Sequence, residues 1–218
     1  MVWAYNISVL FYFLAIRIAS VFNEKARLWL MGRRGVFKEL ESAFEGSSET
    51  AWFHCASLGE FEQGRPVMEK YRVKYPDHKI VVTFFSPSGY EIRKNYELAD
   101  HICYLPIDSK RNAARFLNIV NPKTVFFVKY EFWLHYIKAI KKRRIPLFLI
   151  SGVFRKEHVF FKAYGGLFRR SNMPPLRRGC QDAALRLPDI RGSAPAHQRP
   201  RGRLVRLPAG FALQSGRI

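Results

Sequence analysis

The chain has 218 residues, 48% hydrophobic and 15% aromatic, which is enough apolar surface to bury a core and too much for a wholly disordered protein. Lys and Arg outnumber Asp and Glu by 37 to 17, a formal net charge of +20, so the partners to expect are anionic: lipid headgroups, a phosphorylated substrate or nucleic acid. The three cysteines, Cys55, Cys103 and Cys180, are too few and too far apart for a disulfide framework or a zinc site, and point to a reducing compartment.

Residues 1–22, MVWAYNISVLFYFLAIRIASVF, carry no charge before Arg17 and approach the roughly 20 apolar residues of a membrane span. The basic start and small-residue cleavage site of a signal peptide are missing. The expectation is a membrane-anchor helix that spans the bilayer or lies in its surface, with a buried helix as the alternative. Arg17, near one end, can extend its head group to the lipid phosphates. Residues 23–49 follow with Lys25, Arg27, Arg33, Arg34 and Lys38 and read as a basic helical linker. Next to an anchor, these charges predict a cytoplasmic side and attraction to anionic lipid.

From residue 50 to about 170 the pattern is regular. TAWFHCAS, KIVVTFFS, HICYLP, TVFFVKY and PLFLISGVF are short apolar runs rich in β-branched and aromatic residues. Helical patterns separate them. In SKRNAARFLNIV, Ala113, Phe116, Leu117 and Val120 share one helix face, and in FWLHYIKAIKKRR so do Trp133, Ile137 and Ile140. Continuous apolar strands alternating with helices predict a parallel sheet covered on both faces, a Rossmann-like doubly wound α/β domain. In such sheets ligands bind at the carboxyl ends of the strands.

Three strand ends carry suggestive residues: SLGE (57–60), SPSGYE (86–91) and KYEFW (129–133). Ser57-x-x-Glu60 and Ser88-x-x-Glu91 match the capping box, in which a Ser accepts from the third helical amide and the Glu reaches back to the cap amide. On pattern alone Glu60 is either such a cap or a reacting carboxylate. His54 and Cys55 fall inside an apolar strand and read as core. No GxGxxG or Walker loop is present.

Beyond residue 170 the composition breaks. The last 48 residues hold nine Arg, no Lys and six of the twelve Pro, with Phe211 their one aromatic. Residues 171–218 therefore read as a disordered basic tail or as translation in a shifted, GC-rich frame.

The runs WFHCASLGEFEQGRP, IVVTFFSPSGYE, YLPIDSKRNAARFL and PKTVFFVKYEFW, in that order, resemble the 3-deoxy-D-manno-octulosonic acid (Kdo) transferases. With the hydrophobic start and GRRG, the resemblance covers about residues 1–170. It implies the N-terminal half of a GT-B glycosyltransferase, which moves Kdo from the donor CMP-Kdo to the lipid A precursor at the cytoplasmic face of the bacterial inner membrane. By position it places a general base at Glu60 and a supporting or acceptor-positioning carboxylate at Glu131. Leu134 and His135 stand where that family commonly has Pro and Asn. Neither a metal nor a cofactor is implied. The donor-binding half is not expected in the 48 residues after 170, so a catalytically inactive acceptor- and membrane-binding fragment is the alternative reading. A membrane-tethered nucleic-acid binder is a remote one. No RRM, HTH or KH pattern appears, and nucleic acid is not an expected partner.

Overall fold

The computed structural model describes residues 2–46, 49–129 and 133–152. The five apolar runs form five strands: β1 (Thr50–Cys55), β2 (Lys79–Phe84), β3 (His101–Tyr104), β4 (Thr124–Val128) and β5 (Leu147–Ile150). All pair in parallel, in the order β3-β2-β1-β4-β5. Every residue of β1 and of β4 is buried, as a sheet covered on both faces requires. Among the described residues seven helices accompany them: α1 (Val2–Ala19), α2 (Glu24–Met31), α3 (Val36–Phe44), α4 (Leu58–Lys74), α5 (Pro87–Arg93), α6 (Lys110–Val120) and α7 (Leu134–Lys142).

Successive β1 side chains point to opposite faces. Phe53 stacks on Phe126 and meets Tyr71 of α4 edge-on. Trp52 turns the other way, to Phe116 of α6 and Tyr136 of α7, with ring centroids 4.7 and 5.5 Å apart. The sheet is doubly wound, as the pattern predicts. The four α6 residues assigned to one face are all buried, as are Ile137 and Ile140 of α7. Ser109 caps α6 by accepting from the Asn112 amide at 3.1 Å, and Asn121 ends it in the left-handed region. The chain leaves β1 toward one face and β4 toward the other, so a crevice opens between their carboxyl ends.

Residues 23–49, read as a linker, hold α2 and α3. Val36, Leu40 and Phe44 of α3 enter the same core as Trp52 and Phe116. The apolar side chains there follow a helical spacing that the basic residues around them mask in the composition.

α1 has two apolar faces. Tyr5, Tyr12 and Phe13 point to the α/β domain, where Tyr12 stacks on Phe85 and Tyr12 and Phe13 contact Trp29. Trp3, Leu10, Phe11, Leu14 and Ile18 lie on the opposite face and are exposed. By length and composition α1 is long and apolar enough to cross a membrane. Residues 171–218, with Cys180, lie outside the described residues.

Gly89, in α5, marks the tightest approach between the β1 and β2 exits. A Cβ there would sit 2.3 Å from the Phe84 ring and 3.0 Å from the Ser57 carbonyl carbon. Gly89→Ala is expected to cost about 1–3 kcal/mol, read as a lowered denaturation midpoint.

Candidate functional site

Of the residues singled out at the strand ends, Ser57 and Glu60 follow β1, Ser86 follows β2 and Trp133 stands at the start of α7, after β4. Glu60 lies in the first turn of α4, half-buried. Its Oε2 accepts the Ala56 amide at 2.5 Å. The capping box is therefore altered. Ser57 is the N-cap residue but its hydroxyl makes no cap bond, and the Glu60 carboxylate reaches one residue further back than the motif predicts. That bond clamps the last turn of chain after β1, because the Ala56 carbonyl in turn accepts the Ser86 amide at 2.8 Å. Through Ala56, one hydrogen bond ties the β1 exit to the β2 exit and a second ties it to the head of α4.

The second predicted box is not formed. α5 starts at Pro87, and Ser86 caps it by accepting the Ser88 amide. Pro at the first helical position suits this earlier start. Ser88 is thus inside the helix, and Glu91 turns outward to pair with Lys94 at 3.0 Å. Glu131 lies outside the described residues.

Trp133, two positions after Glu131, is anchored to β1. The Trp133 Nε1–H donates to Nε2 of His54 at 2.9 Å. An indole N–H can only donate, so His54 Nε2 holds its lone pair and Nδ1 carries the proton. Nδ1 faces the Thr83 carbonyl at 3.1 Å and its hydroxyl oxygen at 2.8 Å. Thr83 Oγ1 also accepts the Trp52 indole at 2.7 Å. A buried line of hydrogen bonds therefore joins β1, β2 and the start of α7. His54 is core, as the sequence suggests, and the tertiary structure gives it a partner that spacing did not reveal.

Two residues with no role assigned from sequence complete the edge. Arg33 donates through Nε to the Leu105 carbonyl at 3.0 Å, through Nη1 to Trp29 at 2.9 Å and through Nη2 to Phe85 at 2.9 Å. Its guanidinium lies 3.7 Å above the Trp29 ring. Burial pushes it down to about 9, and among the described residues no carboxylate pairs with it. The GRRG run was the signal for it, without saying which arginine turns inward.

Asp108, after β3, is buried and accepts the backbone amides of His135 at 3.1 Å and Tyr136 at 3.2 Å. It caps α7 from a distance, in place of Trp133, which occupies the N-cap position without a side-chain bond. Asp108 also accepts the Tyr5 hydroxyl at 2.5 Å, and His135 Nε2 lies 2.7 Å from the Asn6 amide oxygen. α1 is thereby pinned to the start of α7. Burial raises Asp108 and lowers His135 from their ordinary ranges. Among the described residues no cluster of three His, Cys, Asp or Glu side chains could hold a metal ion.

A family model described as 3-deoxy-D-manno-octulosonic-acid transferase (kdotransferase) matches residues 30–173. The chain is 32% identical over 138 residues to a 3-deoxy-D-manno-octulosonic acid transferase of Chlamydia muridarum, covering 61% of this chain and 31% of that one. Proteins of the same name from Aquifex aeolicus and Haemophilus influenzae are each 32% identical, over 101 and 102 residues. Both alignments cover 46% of this chain, and 27% and 24% of the relatives. The chain thus spans about a quarter to a third of the length of these curated relatives.

Thr83→Val removes the acceptor of Trp52 and the nearer of two partners of His54 Nδ1, leaving it the Thr83 carbonyl. It is expected to cost about 1–3 kcal/mol and to shift Trp133 emission, measured by denaturation and fluorescence. Asp108→Ala leaves two α7 amides without an acceptor. The expected loss is about 2–3 kcal/mol, with faster amide hydrogen exchange at His135 and Tyr136.

Proposed function

Because the chain belongs to the 3-deoxy-D-manno-octulosonic-acid transferase family, we propose that it forms the acceptor-side half of a GT-B glycosyltransferase that moves Kdo from CMP-Kdo to the lipid A precursor. The observation that carries this reading is the position of Glu60. It is a carboxylate held at the carboxyl end of β1, on the crevice between β1 and β4, by the Ala56 amide. In the proposed reaction an acceptor hydroxyl attacks the anomeric carbon of Kdo, the bond to CMP breaks, and Glu60 takes the hydroxyl proton. General-base catalysis of this kind is worth about 10²–10⁴-fold. Glu131 has a supporting or acceptor-positioning role in this reading. The Trp133–His54 bond supports it by anchoring the chain two residues further on. No cofactor takes part, and CMP-Kdo binds in the other half of the fold.

Membrane attachment at the cytoplasmic face of the inner membrane belongs to the same proposal. Tyr5, Asn6, Tyr12 and Phe13 of α1 contact the rest of the fold, so the side of the helix most open to lipid is the opposite one, with Trp3, Phe11 and Ile18. That favours a helix lying in the membrane surface over one surrounded by lipid. Trp3, Phe11, Leu14 and Ile18 would enter the acyl region, with Lys25, Arg27 and Arg34 near anionic headgroups. The strand ends would then open close to the surface from which a lipid acceptor arrives.

Glu60→Gln keeps an oxygen for the Ala56 amide but cannot take a proton. In a chain carrying both halves of the fold, Glu60→Gln should lower Kdo transfer by about 10²–10⁴-fold with an unchanged melting temperature. Retained transfer, with stability lost only in Glu60→Ala, would leave Glu60 a structural clamp.

A further inference from the structure

The seam between α1 and the α/β domain contains two adjoining cavities. The first, about 470 Å³, is apolar and is walled chiefly by Tyr12, Phe13, Trp29, Phe85 and Trp133, with Val9 of α1 as part of its roof. Its volume falls within the roughly 300–1,000 Å³ of typical ligand sites. Two of its polar groups are engaged, Asp108 by Tyr5, His135 and Tyr136, and the Ser8 hydroxyl by the Tyr5 carbonyl, while the buried Trp29 indole N–H finds no acceptor among the described residues. The second cavity, about 460 Å³, shares Phe13 and Ile107 with the first and is lined by Arg17, Arg33, Arg34 and Ser20. Among the described residues no Asp or Glu lines it.

We propose that this seam holds one anionic phospholipid of the bilayer, its phosphate among Arg17, Arg33 and Arg34 and one acyl chain in the aromatic chamber. The proposal rests on the reading of α1 as a membrane-surface helix and adds a resident lipid to it. Charge complementarity selects the headgroup. Three guanidinium groups converge on the basic cavity. Arg33 is oriented in advance by its three carbonyl acceptors, and among the described residues no carboxylate lines the basic cavity to meet the ammonium of a zwitterionic lipid. Geometry separates this lipid from the reaction's own acceptor. Arg17 lies 12 residues beyond Tyr5 on α1, about 18 Å along the axis. A phosphate at Arg17 therefore directs the acyl tail, not a sugar hydroxyl, toward Trp133 and the strand ends. An acceptor for Glu60 would have to lie the other way round. The occupant closes the gap between helix and domain, so the position of α1 depends on lipid.

The test uses the full chain carrying Trp3→Phe, which removes the lipid-facing indole, mixed with phosphatidylcholine vesicles containing phosphatidylglycerol. One of the two lipids at a time carries dibrominated acyl chains. Brominated phosphatidylglycerol should quench Trp29 and Trp133 in preference to brominated phosphatidylcholine. Arg17→Gln and Arg34→Gln, at exposed positions, should each lower that preference about fivefold. Val9→Phe, which fills the chamber, should abolish the quenching while cosedimentation with vesicles persists. Equal quenching by the two lipids, a preference unmoved by the arginine variants, or undiminished quenching in a folded Val9→Phe chain would overturn the seam site. A chain that does not cosediment with vesicles at all would overturn the membrane-surface reading, and the resident lipid with it.

Discussion

A largely buried guanidinium, with no carboxylate partner among the described residues, holds the carboxyl edge of this sheet together. The Arg33 side chain donates to carbonyls that follow β2 and β3 and to one in α2. Hydrogen bonds from a charged donor are worth about 1.5–3 kcal/mol each, and the flat face of the guanidinium stacks on Trp29. Three segments that converge from distant parts of the chain are thus fixed against one rigid group. Lysine could not replace it, since a single ammonium lacks the planar fork that addresses three directions at once. The exits of β2 and β3 are walls against which α1 packs, so Arg33 helps to shape the surface that receives this helix.

The rest of the edge obeys the same rule by neutral means. The strands of a parallel sheet all end on one side, and their last polar groups need partners away from bulk water. Thr83, His54 and the two tryptophans satisfy one another across three elements. Asp108 satisfies the first amides of α7, and Glu60 the amide that follows β1. Glu60 therefore combines a structural bond with a position on the crevice. The clamp to Ala56 holds the carboxylate in place, so a structural bond does not exclude the catalytic role proposed for it.

α1 shows how hydrophobicity can serve two surfaces at once. A helix apolar on every side gives no amphipathic signal, and composition alone leaves it free to span a membrane or to be buried. Tyr5 and Asn6 decide between these options. Their polar groups meet Asp108 and His135 across more than a hundred residues of sequence, which fixes one face of the helix to protein and leaves the apolar residues of the other exposed.

By itself the sequence determined the class of the fold. Apolar runs of four to six residues cannot sit half-exposed, and helical spacing between them leaves little choice but a covered parallel sheet; Trp52, Phe53, Phe116 and Ile140 are core in pattern and in structure. It also placed Glu60 and Trp133 at strand ends, since the order of elements does so without coordinates. The tertiary structure alone decided the partners: Trp133 with His54, Asp108 with α7, Arg33 with three carbonyls, and Ser86 in place of Ser88 at the head of α5. The reason is physical. Burial follows local periodicity, which a single segment carries, whereas a hydrogen bond between residues 72 or 103 positions apart depends on angles and distances that exist only once the sheet has brought its ends together.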